Sequence, residues 1–356
     1  MKVIMIGAGL GGLTLAQGLR RAGIEVAVYE RDGALGRAQG VSLHVDDRGV
    51  AALQECLPSA HVAMIDATMG RLRDKTLKLS EVDGALTVVD AQPTDGAAGR
   101  ARPGRQTHRP LLRSILLTGL EDAVRFEAEF TRFEQLPDGT VQAWFADGSN
   151  DTADILVGAD GIGSAVRRQY LPQAQVLDSG RRMLMGATPL RAAAGLPELI
   201  GDNPTVVRIQ DTTMVLGALR FTSPPTLARQ RFLPVLPLIA VATIEDYLMW
   251  ALSGPVEDLP PALQRIVDEA WPEMTSALRV GMIAPIPPWS PTAVTVLGDA
   301  IHLAPGFGGN LAMQDAHRLC SALIEANRGQ LSLLDAIGSY EDNMRASAPV
   351  PAKAGR

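Results

Sequence analysis

The sequence predicts an α/β protein in which a Rossmann-like dinucleotide-binding domain carries an inserted, mainly antiparallel β-sheet domain. Three short apolar, strand-like runs each lead into a glycine-rich turn, one near the N-terminus, one in the middle and one near the C-terminus. Such turns are expected where the strands of a parallel sheet end at a ligand-binding edge. Residues 171–282 instead show strand-like runs separated by proline-rich turns, which indicates a second sheet.

The N-terminal turn follows residues 2–6, whose unbroken apolar run is typical of a parallel strand covered on both faces. A G-x-G-x-x-G pattern comes next, then a helical pattern and a second strand that ends at Glu30. We expect Gly7 to form the tight turn, Gly9 to let the backbone approach a pyrophosphate and Gly12 to let the helix pack on the strand. Glu30 is placed to accept hydrogen bonds from an adenosine ribose.

Glu30 also bears on which dinucleotide binds. A 2′-phosphate would bring a second negative charge to this carboxylate, so the pattern favours FAD or NAD over NADP at this site. The strand, turn, helix, second strand and acid follow one another in order at the start of the chain. A glycine-rich turn in an unrelated α/β protein is the weaker alternative.

The second turn reads Gly-Ala-Asp-Gly at residues 158–161 and follows a buried-strand pattern at residues 153–157. Its acid, Asp160, stands at the carboxyl end of that strand, where parallel sheets bind their ligands. A purely structural turn residue is the alternative, which the neighbouring glycines disfavour. We therefore count Asp160 as a candidate ligand-binding residue.

The third turn begins at Gly298 and Asp299, after the apolar run 293–297, and continues through a loop rich in glycine and proline into a helix. An acid in this position can accept hydroxyl groups, and the N-terminus of the helix offers N–H groups and a positive partial charge. His302 could act as a base, but we interpret it as a packed, hydrogen-bonded residue. This pattern indicates a binding site for a polar ligand.

The intervening segments are less informative. Residues 92–110 are rich in glycine, proline and arginine, which predicts an exposed excursion before a helix that begins near Arg109. Arg109 and Arg113 are interpreted as a solvated helix face, although Arg109 could also serve a phosphate or a flavin edge. In the second sheet, five apolar residues are interpreted as core rather than as substrate contacts: Met183, Met185, Met214, Leu216 and Trp250.

Composition narrows the class of partner. The 356 residues carry a net charge of −6, which disfavours a nucleic-acid partner. The longest apolar stretch, residues 233–243, is interrupted by prolines and is too short to span a bilayer. Because the first strand begins at residue 2, we expect no signal peptide.

Cys56 and Cys320, the only cysteines, form no metal-binding pattern and are interpreted as reduced thiols of a cytoplasmic protein.

Taken in order, the three turns resemble those of the FAD-dependent aromatic-hydroxylase family. These are the single-component flavoprotein monooxygenases related to p-hydroxybenzoate hydroxylase and the tetracycline-modifying monooxygenases. The resemblance extends from Lys2 to about Tyr340. It implies non-covalent FAD, NAD(P)H as co-substrate, and O2 used through a flavin C4a-hydroperoxide. The implied reaction is hydroxylation or epoxidation of an aromatic or polyketide-like small molecule, with no catalytic side chain and no metal.

The resemblance also assigns cofactor-binding residues. The first motif implies contacts to the ADP half of FAD, the second to the pyrophosphate region, and the third to the ribityl chain and the isoalloxazine. Arg109 matches the arginine that opens the helix beside the flavin. The full set of expected cofactor-binding residues is Gly7, Gly9, Leu10, Gly11, Gly12, Glu30, Arg31, Arg109, Asp160, Gly161, Gly298, Asp299, Pro305, Gly308, Gly309 and Asn310.

One departure from the family pattern supports an alternative function. The loop from Pro305 to Asn310 is a few residues shorter than in relatives, which leaves open a non-redox cyclase or isomerase that binds FAD. The substrate, the choice of NADH or NADPH and the oligomeric state are left open by the sequence. We expect an FAD-binding domain formed by residues 1–70, 105–170 and 283–345. Residues 71–104 and 171–282 are expected to form the substrate-binding domain, and residues 346–356 a tail.

Overall fold

The computed structural model describes residues 1–34, 40–83, 85–96, 102–193, 195–284, 286–303 and 308–347. Its strands, in chain order, are β1 (Lys2–Ile6), β2 (Glu25–Tyr29), β3 (Ser42–Asp46), β4 (Leu72–Arg73), β5 (Lys75–Val82), β6 (Ala85–Pro93), β7 (Gly104–His108), β8 (Val124–Arg125), β9 (Phe130–Gln135), β10 (Val141–Phe145), β11 (Asn150–Ala153), β12 (Ile155–Gly158), β13 (Val176–Pro189), β14 (Thr205–Ile209), β15 (Thr212–Leu219), β16 (Tyr247–Ser253), β17 (Ser276–Ile283) and β18 (Val294–Val296).

The helices lie between and around these strands. In chain order they are α1 (Leu10–Arg21), α2 (Asp47–Cys56), α3 (Ser59–Thr68), α4 (Arg109–Leu117), α5 (Ala165–Tyr170), α6 (Leu196–Ile200), α7 (Pro225–Phe232), α8 (Pro261–Asp268), α9 (Gly308–Asn327) and α10 (Leu333–Ser347). No helix in these described stretches is both long and apolar enough to cross a membrane.

A five-stranded parallel sheet positions the three glycine-rich turns. Its strands lie in the order β18-β12-β1-β2-β8. All residues of β12 and β18 are buried, as expected for apolar strands covered on both faces. In the register of the sheet, Ile6 lies beside Gly158, and Gly158 lies beside Val296. The three strands therefore end together, and the three turns that follow them meet at one edge.

Helix α1 packs closely on this sheet and on α9. A Cβ atom at Gly11 would lie 2.7 Å from Leu297 Cδ1 and 3.0 Å from the Ala312 carbonyl oxygen, so the helices approach at backbone distance. Seven residues further along α1, at Gly18, the missing side chain leaves room for two thiols. A Cβ atom there would lie 2.6 Å from Cys320 Sγ and 3.2 Å from Cys56 Sγ. The two free, buried cysteines, distant in the sequence, thus meet beside α1.

A seven-stranded sheet, ordered β17-β13-β16-β15-β14-β5-β6, forms the second layer and is antiparallel except for the β14–β5 pair. The predicted fold class, a Rossmann-like domain with a mainly antiparallel second sheet, is therefore confirmed. Met214, Leu216 and Trp250 are fully buried on one face of this sheet, as predicted. Met183 and Met185 are only half-buried. Strand alternation places them on the opposite face, so the assignment of these two methionines to the core was wrong.

Residues 92–110 are not simply an exposed excursion. Within this segment β7 is the middle strand of a small antiparallel sheet, β3-β7-β4. Its residues Gln106, Thr107 and His108 are at most 3% exposed. The polar sequence Gly-Arg-Gln-Thr-His gives no apolar signal, because these side chains are buried by hydrogen bonding rather than by hydrophobicity. The prediction of a solvent-exposed segment was therefore wrong for β7.

Candidate functional site

The turn between β1 and α1 is possible only with glycine at two positions. Gly7 has a φ of +109°, and a Cβ atom there would lie 2.4 Å from the Ala159 carbonyl oxygen. Its N–H donates to the Tyr29 carbonyl at 2.8 Å. A Cβ atom at Gly12 would lie 2.3 Å from the Gly7 carbonyl oxygen, which shows how closely α1 packs on the turn. Both positions have the steric constraint that the sequence predicted.

Gly9 differs from these two glycines because it faces open space. It is the N-cap residue of α1 and provides no side-chain cap, and the first turn of the helix contains no acid. The nearest atom to a Cβ at Gly9 would be the Ala159 carbonyl oxygen, 4.0 Å away. Leu10 and Gly11, the first residues of α1, are buried, and a Cβ atom at Gly11 would meet Leu297 and Ala312. An uncapped helix N-terminus beside open space is suited to bind a phosphate group.

Glu30 lies beside this turn and holds it. Its carboxylate accepts hydrogen bonds from the N–H of Ala8 at 2.9 Å and from the N–H of Asp32 at 3.0 Å. Arg31 lies at the rim, 4.0 Å from the Asp32 carboxylate. The acid at the end of β2 is thus brought to the glycine-rich turn, while contacts of Glu30 and Arg31 with a cofactor remain predictions.

Arg113, interpreted from the sequence as part of a solvated helix face, is instead half-buried at this turn, so that interpretation was wrong. Its Nε donates to the Ala8 carbonyl at 3.0 Å, and another guanidinium nitrogen donates to the Ala34 carbonyl at 3.0 Å. Burial lowers its pKa, while the charges of Glu30 and Asp32 oppose that shift. The available signal was its spacing from Arg109, four residues earlier, because residues at i and i+4 share one helix face.

The second turn places Asp160 at the same edge. One carboxylate oxygen accepts the N–H groups of Ala165 at 2.7 Å and of Val166 at 3.3 Å, and so caps α5. The other oxygen, Oδ1, is buried and has no hydrogen-bond partner among the described residues. Gly161 follows with a φ of +72° and no atom within 4 Å of a Cβ position. A buried acceptor without a partner is costly, so a ligand hydroxyl or a bound water is expected at Oδ1.

The third turn is held by a buried acid on α9. Asp315 is 0% exposed, and its Oδ2 accepts the Gly298 N–H at 3.0 Å and contacts His302 Nε2 at 2.6 Å. Burial alone would lower the pKa of His302, but the hydrogen bond and charge of Asp315 outweigh it and raise that pKa. Gly298, with a φ of +58°, would place a Cβ atom 2.6 Å from Ala312 Cβ. His302 is packed and hydrogen-bonded, as interpreted from the sequence.

This turn presents Asp299 to the open side of the site. Asp299 is exposed, yet the protein around its carboxylate desolvates it enough to raise its pKa, against the charges of His302 and Arg109. A Cβ atom at Gly308, the first residue of α9, would lie 2.5 Å from Asp299 Oδ1. Burial lowers the pKa of Arg109, and the charge of Asp299 opposes that shift. The structure thus brings Arg109, Asp299 and the start of α9 together.

Asn310 is used differently from what the family pattern suggests. It is 0% exposed; its Oδ1 accepts the Asp46 N–H at 3.0 Å, and its Nδ2 donates to the His44 carbonyl at 2.7 Å. Beside it, a Cβ atom at Gly309 would lie 2.8 Å from Leu43 Cδ2. The amide therefore fastens α9 to β3 and α2, and backbone N–H groups remain for a cofactor. Pro305 lies outside the described residues.

The three turns at the carboxyl edge of the parallel sheet offer groups that match the parts of a dinucleotide. The open space at Gly9 and the uncapped α1 suit a diphosphate, and the unsatisfied Oδ1 of Asp160 suits a hydroxyl or a bridging water. Asp299 can accept sugar hydroxyls, and Arg109 supplies positive charge beside it. In the described parts of the chain, no group of three potential ligand residues is arranged to hold a metal ion. The residues present therefore fit FAD.

Comparison with known proteins agrees with this fit. Residues 1–220 and 285–349 match the family model of the FAD binding domain. The FAD-dependent urate hydroxylase of Klebsiella pneumoniae is 32% identical over 89% of this chain and 79% of its own length. The chain belongs to the FAD-dependent aromatic-hydroxylase family.

Two further similar proteins differ in how much of their own length this chain covers. The dual O-methyltransferase/FAD-dependent monooxygenase of Cercospora beticola is 29% identical over 97% of this chain, but the chain spans only 44% of that relative. A crystal structure from Photorhabdus luminescens, assigned as an FAD-containing monooxygenase, superposes with a TM-score of 0.77 at 29% identity. It covers 97% of this chain and 94% of that one. The family and the fold predicted from the sequence are confirmed.

Proposed function

We propose that the protein is an FAD-dependent monooxygenase that hydroxylates or epoxidises an aromatic or polyketide-like small molecule, using NAD(P)H and O2. The observation that supports this proposal is the shared edge of β1, β12 and β18, where the turns that contain Gly9, Asp160 and Asp299 follow their strands. The monooxygenase relatives of the family support the same reaction class.

Each part of the edge has a physical role in this proposal. The N–H groups at the start of α1 bind the pyrophosphate, and Glu30 binds the adenosine ribose. Asp160 and Asp299 accept hydrogen bonds from the linker and the ribityl chain. Arg109 and the N-terminus of α9 provide positive potential for the negative charge of the reduced ring. FAD, when bound, supplies the redox chemistry with the reduced nicotinamide and O2.

A group of half-buried methionines on the seven-stranded sheet supports an apolar substrate. On the open face of the seven-stranded sheet, Met183, Met185 and Met249 are half-buried. A Cβ atom at Gly40, in the FAD-binding part, would lie 3.4 Å from Met185 Sδ. Methionine surfaces adapt to ligands of irregular shape. We propose that the substrate ring lies against this methionine face, where water is excluded from the reaction.

A buried polar pair borders the methionine face. His108 Nδ1 and Tyr247 Oη are 3.1 Å apart, and both residues are at most 2% exposed. Burial lowers the pKa of His108 to about 4, so its imidazole is neutral at physiological pH. The pair is therefore a neutral, buried contact that supports the strands behind the methionine face and adds no charge there.

The second candidate, a non-redox cyclase or isomerase that retains FAD, rests on the short sequence between Pro305 and Asn310. Residues 304–307 lie outside the described residues, so this alternative stays a prediction. It differs from the first in one testable respect: the bound flavin would not be reduced by a nicotinamide.

The deciding experiment is anaerobic reduction of the FAD-loaded protein. NADH or NADPH is added to separate samples, and flavin absorbance near 450 nm, a property of the cofactor, is followed with and without aromatic ligands. We expect the band to bleach, faster with a suitable ligand, and oxygenated product to form when O2 is admitted. A band that persists with both nicotinamides and every ligand contradicts the monooxygenase and favours the non-redox alternative. Protein that takes up no FAD contradicts both.

A further inference from the structure

A cavity of about 390 Å³ lies away from the candidate FAD site. It forms where the chain leaving α3, the loop before β14 and the end of β15 come together. None of its lining residues belongs to the three glycine-rich turns or to the methionine face. The lining residues are Arg71, Gly201, Asp202, Arg220, Phe221 and Thr222.

Positive charge predominates in this cavity. Asp202 is the only acid in the lining, and it forms an ion pair with Arg220. Arg71 also lines the cavity, is exposed, and has no hydrogen-bond or ion-pair partner in the described parts of the chain. The lining thus carries two guanidinium groups and one carboxylate, in a chain whose net charge is −6.

A third arginine adds positive charge close to Asp202 of the cavity lining. Arg73 is 2% exposed, donates to the Ala218 carbonyl at 2.7 Å and to the Gln106 side chain, and feels the charge of Asp202. Burial lowers its pKa to about 10, so it remains charged at neutral pH. Both of these hydrogen-bond acceptors, the Ala218 carbonyl and the Gln106 side-chain oxygen, are neutral groups. A buried cation held by neutral acceptors is stabilised by any nearby anion.

The remaining lining residues limit what can bind. Phe221 is half-buried and packs against the cluster that contains Leu219 and Tyr247. The Thr222 hydroxyl donates to the Met69 carbonyl at 2.6 Å, so it can only accept from a ligand. The volume is at the lower end of the range for small-molecule sites, roughly 300–1,000 Å³. This suits a small acid rather than a whole dinucleotide.

We propose that this cavity is a second binding site, for a small molecule that carries a carboxylate or phosphate group. Arg71 and Arg220 bind the oxyanion, and Phe221 contacts the apolar part of the molecule. Because Phe221 packs on the cluster that includes Tyr247, a bound ligand lies one side-chain layer from the His108–Tyr247 pair. The site is separate from the FAD edge and does not depend on flavin chemistry.

The test is calorimetric titration of the FAD-loaded chain at fixed ionic strength, with inorganic phosphate and with benzoate as separate probes. We expect saturable binding of at least one probe, and the stronger of the two identifies the oxyanion. Arg71→Gln should weaken binding about tenfold, the scale of one charge-assisted contact. Arg181→Gln, at an exposed arginine of β13, is the matched control and should bind as the original chain does.

Two outcomes overturn the proposal. One is the absence of saturable binding by either probe, and the other is an equal loss of affinity in Arg71→Gln and Arg181→Gln, which would indicate general charge screening. Thermal melting of each variant shows whether it remains folded, and Arg71 is suited to this test because it is exposed. Heat of binding is measured rather than turnover, so the result is independent of whether the flavin reaction occurs.

Discussion

In the proposed FAD site, we assign a phosphate end to Gly7 to Gly12 and a ring end to Arg109, Asp299 and the start of α9. At the phosphate end the shape of the backbone selects the residues: Gly7 has a positive φ and no room for a side chain. At the ring end burial and charge select them. Burial lowers the pKa of Arg109 and raises that of Asp299, the charge of each residue opposes the shift of the other, and Asp315 raises the pKa of His302 against its burial. Substitutions should therefore disturb the two ends in different ways.

The largest effect is expected from alanine at two glycines of the phosphate end. Gly7→Ala requires a strained φ and a contact of 2.4 Å with a carbonyl oxygen. We therefore expect this variant to lose about 2–4 kcal/mol of folding stability and also to lose FAD binding. Gly9→Ala meets no protein atom closer than 4.0 Å and should fold normally, but its methyl group enters the space assigned to the cofactor. Chemical denaturation and FAD titration measure both quantities.

This pair separates a structural glycine from a ligand-facing one. If Gly9→Ala binds FAD as tightly as the original chain, the open space at Gly9 does not hold the cofactor. If Gly7→Ala melts at the original temperature, the close packing against Ala159 is not limiting. Either result would contradict the steric explanation given for the phosphate end.

The next effect is expected at Arg113, which links α4 to the phosphate end. Arg113→Gln removes hydrogen bonds to the Ala8 and Ala34 carbonyls, which should cost about 1–2 kcal/mol of stability and weaken FAD binding about tenfold. Arg132→Gln, at an exposed position of β9 in a different sheet, serves as the control. Equal stability and equal FAD affinity in both variants would show that Arg113 does not support the turn.

At the ring end, FAD binding should fall without a loss of folding stability. Asp299→Asn removes a carboxylate whose pKa is raised by desolvation, so the folded protein should be no less stable at neutral pH. FAD affinity should fall about tenfold, because a charge-assisted acceptor of the sugar hydroxyls is lost. FAD titration beside thermal melting distinguishes these effects. A large fall in melting temperature with unchanged FAD affinity would assign Asp299 a structural role instead.

The smallest effect concerns pH and the His302–Asp315 pair. The pKa of His302 is raised in the folded state, so the pair's stabilisation is complete below the ordinary histidine pKa and is lost as pH rises through the raised value. His302→Gln keeps a hydrogen-bond donor and removes the titration. The stability difference between the two proteins should be larger at pH 6 than at pH 9, as measured by chemical denaturation. A difference independent of pH would contradict a charged pair.

The sequence was most informative where a function depends on consecutive residues. The turn, helix and acid of the phosphate end lie within one stretch, and the steric constraints at Gly7 and Gly12 could be predicted from it. The contact of Arg113 with Ala8 joins segments far apart in the chain, so only its spacing from Arg109 pointed to it. The cofactor contacts themselves remain predictions.

The ring end was less predictable because some of its polar side chains form hydrogen bonds within the protein. The family pattern suggests Asn310 for the flavin, but its amide fills hydrogen bonds to Asp46 and His44, and no local pattern shows that pairing. The polar strand β7 was missed for a related reason. Its side chains are buried by specific partners, such as Tyr247 for His108, which only the folded chain supplies.

The thiols that meet at Gly18 have a practical consequence. Cys56 and Cys320 are at most 4% exposed, and their hydrogen bond together with burial raises the pKa of the Cys56 thiol. An alkylating reagent can reach them only when α2 or α9 separates transiently from α1, so the rate of modification measures the free energy of that opening. Because α9 also begins at the ring end, cofactor binding should slow alkylation. The alkylation rate of these two native cysteines would then report the fraction of protein that holds FAD.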